Sequence, residues 1–307
     1  MANPEWKGVY PALLTPFHAD ESIDEVLFIK NLRAQTEAGA NGVIIGGSLG
    51  EASTLQNEEK IQLLQIAKNE VGDGFPVILN IAESTTKAAV AFAKAATDAG
   101  ADGFMLLPPM RYKSDDEETV AFFKAVANAT PQSIMIYNNP VDYKIEVTLD
   151  MFAALAECKN IQAVKESTRD VSNVTRMKNR FGDRFKILCG VDTLALEELC
   201  LGADGWIAGL VDAFPRETVA IYRLIKAGRL AEALSIYRWF LPVLELDIHP
   251  KLVQYIKLAA THTGIGSPHV RAPRLALKGE ELQRVTKTIE DALACRPVLP
   301  DYLSLHS

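Results

Sequence analysis

Three short stretches of this 307-residue chain carry side chains suited to covalent chemistry at a carbonyl carbon. The first is Lys165, which closes the apolar run Ile161-Gln-Ala-Val164 and is followed by Glu166-Ser-Thr168. Desolvating an ammonium is expensive, so a lysine in a dry site tends to lose its proton and become a nucleophilic amine. Taken alone, such a lysine is more commonly solvated at a strand end or paired with a nearby acid, here Glu166. The second stretch is Tyr137-Asn-Asn-Pro140, whose phenol can either move protons or simply pack. The third is Gly46-Gly-Ser-Leu-Gly-Glu51. Its glycines let backbone N–H groups approach an anion and Ser48 adds a hydroxyl, although a merely tight turn would look the same.

Together these groups have a mechanistic logic. An amine that attacks a ketone or imine carbon forms a Schiff base, which draws electrons from the adjacent carbon. A phenol can carry the protons of that addition, and backbone donors can hold a carboxylate beside the reacting carbon. The implied substrate is a small 2-oxo acid or its cyclic imine, and the chemistry needs no cofactor. A metal-dependent hydrolase is the competing reading, but His18, His249, His262, His269 and His306 are scattered, with no His-x-His pair. Cys158, Cys189, Cys200 and Cys295 also lack ligand spacing and read as reduced thiols. The sequence therefore predicts no metal. A barrel kept as a non-catalytic scaffold is the reading from outside enzymology, and retention of both amine and phenol weighs against it.

For these stretches to meet, the elements between them must bring strand ends to one face. Apolar strands are predicted at 9–14, 42–45, 77–80, 103–107, 134–137, 161–165, 186–189 and 205–208, with helical segments between them. Strands embedded between helices read as parallel and covered on both faces, and eight such units fit a closed (β/α)8 TIM barrel better than an open doubly wound sheet. The segments Ala38-Gly-Ala-Asn-Gly42, Ala99-Gly-Ala-Asp-Gly103 and Leu201-Gly-Ala-Asp-Gly205 repeat a glycine-capped helix end before a strand. In such barrels the C-terminal strand ends line the active site. The chain divides into a barrel over residues 1–228 and a C-terminal helical extension over 229–307, packed on the barrel.

The composition, 48% hydrophobic and 23% charged, is that of a globular protein, and the net charge of -7 argues against a nucleic-acid surface. No apolar run approaches the roughly 20 residues of a membrane helix. The opening Met1–Trp6 lacks a signal pattern, so a cytoplasmic protein is expected.

Four ordered motifs, Gly47-Ser-Leu-Gly-Glu51, Tyr137-Asn-Asn-Pro140, Val164-Lys165-Glu-Ser167 and Gly202-Ala-Asp-Gly-Trp-Ile-Ala-Gly209, resemble the dihydrodipicolinate synthase / N-acetylneuraminate lyase family from Gly8 to about Leu293. The resemblance implies a Schiff-base lysine at Lys165 and an acid/base tyrosine at Tyr137. It also implies carboxylate binding around Gly47, Ser48 and Leu49, a main-chain contact near Ile207, and a homotetramer. Departures are informative too. Leu49 stands where the synthase branch has a second hydroxyl, and Asp142 where that branch has an arginine for its second substrate's carboxylate. Arg111, with Tyr112 beside it, stands where a neighbouring subunit's tyrosine is expected. These loops look like the branch that deaminates 1-pyrroline-4-hydroxy-2-carboxylate, which would make Asp142, Arg111 and Tyr112 substrate contacts. A dehydratase or aldolase of a 2-keto-3-deoxy sugar acid, or less readily dihydrodipicolinate synthesis, would use the same lysine and tyrosine.

Overall fold

The computed structural model describes residues 2–109 and 111–305. His306 therefore lies outside the described residues, as does Met110 within the loop that carries Arg111 and Tyr112. The first half alternates β1 (Gly8–Pro11), α1 (Glu25–Ala38), β2 (Val43–Ile45), α2 (Asn57–Val71), β3 (Val77–Ile81), α3 (Thr86–Asp98), β4 (Gly103–Leu106) and α4 (Asp116–Ala127). The cycle continues with β5 (Ser133–Asn138), the one-turn helix α5 (Pro140–Tyr143), α6 (Leu149–Leu155), β6 (Ile161–Glu166) and α7 (Ser172–Phe181). It closes with β7 (Lys186–Cys189), α8 (Ala195–Cys200), β8 (Gly205–Ala208) and α9 (Pro215–Lys226). Three further helices follow, α10 (Leu230–Leu244), α11 (Leu252–His262) and α12 (Gly279–Ala294).

All eight strands run parallel in the order β1-β8-β7-β6-β5-β4-β3-β2. Just beyond β1 the ring is completed, where Ala12 bridges Ile44 and the Leu13 N–H donates to the Ile44 carbonyl at 2.9 Å. The result is the (β/α)8 TIM barrel that the eight-fold pattern predicts. Nearly every strand residue is buried, because the helices cover the outside and side chains fill the inside.

Local chemistry sets the element ends. Asp24 caps α1 by accepting from the Leu27 N–H at 2.9 Å, and Asp115 and Glu118 form a reciprocal capping box on α4. Gly39, Gly100 and Gly202, the repeated helix-end glycines, all have left-handed backbone (φ 89°, 94° and 102°). The regular ladder of β1 ends at Pro11 rather than running to Leu14, although the Ala12 N–H still donates to the Ala208 carbonyl at 2.9 Å. The short helix α5 has no apolar repeat to announce it; Pro140 starts it and the Asn139 side chain caps it by accepting from the Asp142 N–H at 3.1 Å. After α9 the chain packs α10 along that helix, and α12 lies against α10 and α11. Between α10 and α11, the turn Glu245–Ile248 reaches over the C-terminal ends of β7 and β8.

Candidate active site

Tyr137 and Lys165 are direct partners on adjacent strands β5 and β6, at their C-terminal ends. The Lys165 Nζ lies 4.3 Å from the centre of the Tyr137 ring, and both residues are buried, at 7% and 6% exposure. Burial drives the amine's pKa down, against the opposing pull of Asp247, Tyr143 and Asp192. Burial likewise pushes the Tyr137 phenol up, and its oxygen accepts from Asn139 Nδ2 at 3.0 Å. Glu166 is no partner of the amine. Its carboxylate instead accepts from the Thr168 N–H at 2.8 Å and from Asn173 Nδ2 at 2.7 Å. Neither bland reading of Lys165, solvated or ion-paired with Glu166, describes it.

Room for the lysine comes from Gly190, just past β7, where a Cβ would sit 2.7 Å from Lys165 Cγ and Cε and 2.1 Å from Ser167 Oγ. Across the chamber stands the loop after β2. Gly46 there has φ 66°, and a Cβ on Gly50 would meet the Leu13 carbonyl oxygen at 2.8 Å, so both positions need glycine. Ser48 Oγ is hydrogen-bonded to the Tyr143 hydroxyl, and the Tyr143 ring stands edge-on to Tyr137 with centroids 5.5 Å apart. Leu49 is buried. The loop ends in Glu51, which is fully buried with φ 59° and ion-paired to Lys257 of α11. Glu51 also accepts from the Arg271 N–H at 3.2 Å and has Arg274 at 3.5 Å, while Lys257 donates to the His269 carbonyl at 2.6 Å. Helix α11 thereby clamps the loop that faces the lysine.

Gly47, Ser48, Leu49, Tyr137, Asp142, Lys165 and Ile207 all line one chamber at the C-terminal mouth of the barrel. Arg111 and Tyr112 do not. Arg111 lines a neighbouring cavity, where its Nε donates to Ser84 Oγ at 3.1 Å, and Tyr112 projects into solvent at 57% exposure. Both residues lie five or more positions past the end of β4, and Ser84 holds Arg111 at the neighbouring cavity instead. The chamber of a single chain is thus assembled without either residue.

Several groups in or just behind the chamber wall escaped the sequence reading. Tyr143 supplies a hydroxyl against Ser48, in a loop where Leu49 supplies none. Arg169, at φ 65°, lines the chamber with a guanidinium and follows the β6 end by three residues. Asp192 is buried and saturated: it accepts from Trp206 Nε1 at 2.9 Å, from the Gly209 N–H at 3.1 Å and from the Leu210 N–H at 2.7 Å. Asp247, from the turn between α10 and α11, also lines the chamber; burial and the neighbouring Asp192 push its carboxyl up to about 8, against the opposing pull of Lys165. The strand-end rule would have found Asp192. Nothing local marks Asp247.

No histidine enters this chamber, and among the described residues no group of three or more His, Cys, Asp and Glu is placed to hold a metal ion. No helix among them is long and apolar enough to cross a membrane.

Comparison with known proteins gives a consistent picture. Residues 5–292 match the dihydrodipicolinate synthetase family. A 4-hydroxy-tetrahydrodipicolinate synthase of Exiguobacterium sibiricum is 33% identical over 89% of this chain and 92% of its own length. The enzyme of that name from Methylobacterium radiotolerans is 31% identical over 98% and 99%. The crystal structure of a dihydrodipicolinate synthase from Bacillus anthracis superposes with a TM-score of 0.89 at 27% identity, covering 94% of this chain and 99% of that one.

Proposed function

From the premise that this chain belongs to the dihydrodipicolinate synthetase family and is a lyase of its Schiff-base kind, we propose that it deaminates 1-pyrroline-4-hydroxy-2-carboxylate to 2,5-dioxopentanoate and ammonia, a step of hydroxyproline breakdown. Lys165 Nζ attacks C2 of the ring, and cleavage of the C2–N1 bond leaves the nitrogen as an amino group on C5. Loss of a C3 proton through Tyr137 gives an enamine that expels the C4 hydroxyl as water. Migration of the double bond converts the C5 amine to an imine. One water hydrolyses that imine to release ammonia, and a second frees the product from Lys165. The carboxylate is held by Ser48 Oγ and the N–H groups of the Gly47–Leu49 loop, and Ile207 offers its main chain.

The observation that carries this reading is the acid at Asp142. It lines the chamber beside Tyr137, held by Asn139 Nδ2 at 2.7 Å, and it suits a nitrogen-bearing or hydroxylated substrate end while repelling a second carboxylate. One feature favours a second reading. Arg169 at the same chamber could receive a distal carboxylate, and the named relatives are 4-hydroxy-tetrahydrodipicolinate synthases. Ammonia release from the pyrroline substrate, set against condensation of pyruvate with aspartate semialdehyde, separates the two. Ammonia is the expected product, and condensation without ammonia release refutes the deaminase reading. The active form is proposed as a homotetramer, to which Arg111 and Tyr112 contribute from a neighbouring copy. Light scattering that finds only monomers would remove that role.

A further inference from the structure

Three acids lie in or behind the chamber wall, Asp247 and Asp192 close enough to act on the Lys165 amine and Asp142 beside Tyr137, and they differ in what they are already doing. Asp192 is satisfied by the indole N–H of Trp206 and the backbone of Gly209 and Leu210. Asp142 is tied to Asn139 Nδ2. Asp247 is different. Its only hydrogen-bond contact among the described residues is a long one, 3.5 Å from the Asp192 N–H. A Cβ on Gly209 would lie 2.6 Å from its Oδ1, so the glycine leaves that oxygen its place at the β8 rim. Ile248 and Leu252 beside it line the same side of the chamber and offer no polar side-chain partner to the carboxylate. A carboxylate with spare acceptor capacity, facing a chamber that also holds the nucleophile, is fitted to receive a cation.

We infer that Asp247 is a substrate-binding residue that holds the amino group released from the ring, while the loop after β2 holds the carboxylate. This rests on the deaminase reading, since only a nitrogen-bearing substrate presents such a group. The two anchors come from different parts of the chain: the loop from the barrel, and Asp247 from the helices that follow it. The raised carboxyl pKa adds to the fit. When protonated, Asp247 can pass that proton to the ring nitrogen as the C2–N1 bond breaks, leaving a carboxylate beside an ammonium.

The test compares 2-oxopentanoate with 5-amino-2-oxopentanoate, which is in equilibrium with its cyclic imine and differs by the terminal amino group. Each is trapped on Lys165 with borohydride and read by intact mass across a concentration series. The wild-type protein should reach half-maximal trapping at about 10–100-fold lower concentration of the aminated acid, the range of one charge-assisted hydrogen bond. Asp247→Asn should lose that preference, read as the ratio of the two half-maximal concentrations within the variant so that any change in the amine's own reactivity cancels, and Asp247→Ser should do the same. A preference retained in both variants overturns the inference, as does its absence in the wild type. A variant that traps neither acid although its Tm is unchanged also overturns it, because the residue would then be serving the lysine. Ammonia release by the wild type reports on the deaminase reading separately, so the two can fail independently.

Discussion

Placing an alanine at Gly190 should disable the lysine without touching it. A Cβ there would sit 2.7 Å from Lys165 Cγ and Cε, where ordinary contact is 3.4–4 Å, so the stem must retreat by about 0.7–1.3 Å. Ser167 Oγ, at 2.1 Å, must move as well. A misplacement near 1 Å at a reacting group costs on the order of 10²-fold, and the overpacking itself costs about 1–3 kcal/mol of stability. The assay is the rate of pyruvate trapping by borohydride, with a thermal melt run alongside. Gly74→Ala is the control away from the chamber, because nothing lies within 4 Å of its Cβ. Gly190→Ala should trap about 100-fold more slowly and Gly74→Ala should keep its rate of imine formation. Equal trapping rates in Gly190→Ala and wild type, with both folded, would show that Gly190 does not set the position of Lys165.

Other consequences are equally accessible. Tyr137→Phe keeps the ring against the lysine but removes the acid/base hydroxyl, so kcat should fall about 10²–10⁴-fold with the fold intact; a much smaller loss moves proton transfer elsewhere. Glu51→Gln leaves Lys257 buried and poorly paired, which should cost about 3–5 kcal/mol in urea unfolding, and adding Lys257→Met should restore most of it. If the double variant is no better than the single, the pair is not what clamps the loop. Glu198 on α8 is buried, and burial with the neighbouring Glu166 pushes its carboxyl up to about 8. The folded state therefore holds a proton that the unfolded chain releases near pH 4.3, so this stability is present in acid and lost as pH rises toward 8. Glu198→Gln should flatten the fall of the unfolding free energy between about pH 5 and 8, by an amount on the order of a few kcal/mol read from urea unfolding at each pH; an unchanged slope places the titration elsewhere.

What the amino-acid sequence determines here is whatever depends on short-range repetition. Apolar runs bounded by glycine-capped helix ends specify eight parallel strands, and barrel geometry then sends every C-terminal strand end to one mouth. Lys165 and Tyr137 are legible for that reason, as is the glycine-rich loop at Ser48, because each sits at a strand end. Arg111 and Tyr112 also follow a strand, yet they lie five and six positions beyond the end of β4, one in a neighbouring cavity and the other in solvent, where strand-end logic ceases to apply. Tyr143 enters the chamber only because α5 makes a single turn, too short to carry any periodicity. The state of the amine is likewise tertiary: a lysine codon does not carry burial, and the walls that lower its pKa come from separate strands and from the turn after α10. Asp247 is the clearest case. It lies in a helical tail with no repeat and no strand, and only the packing of α10 and α11 against the barrel brings its carboxylate to the rim at Gly209. Residues near in sequence announce themselves through period and capping, whereas a contact between distant segments is set by how whole helices pack, which no local pattern encodes.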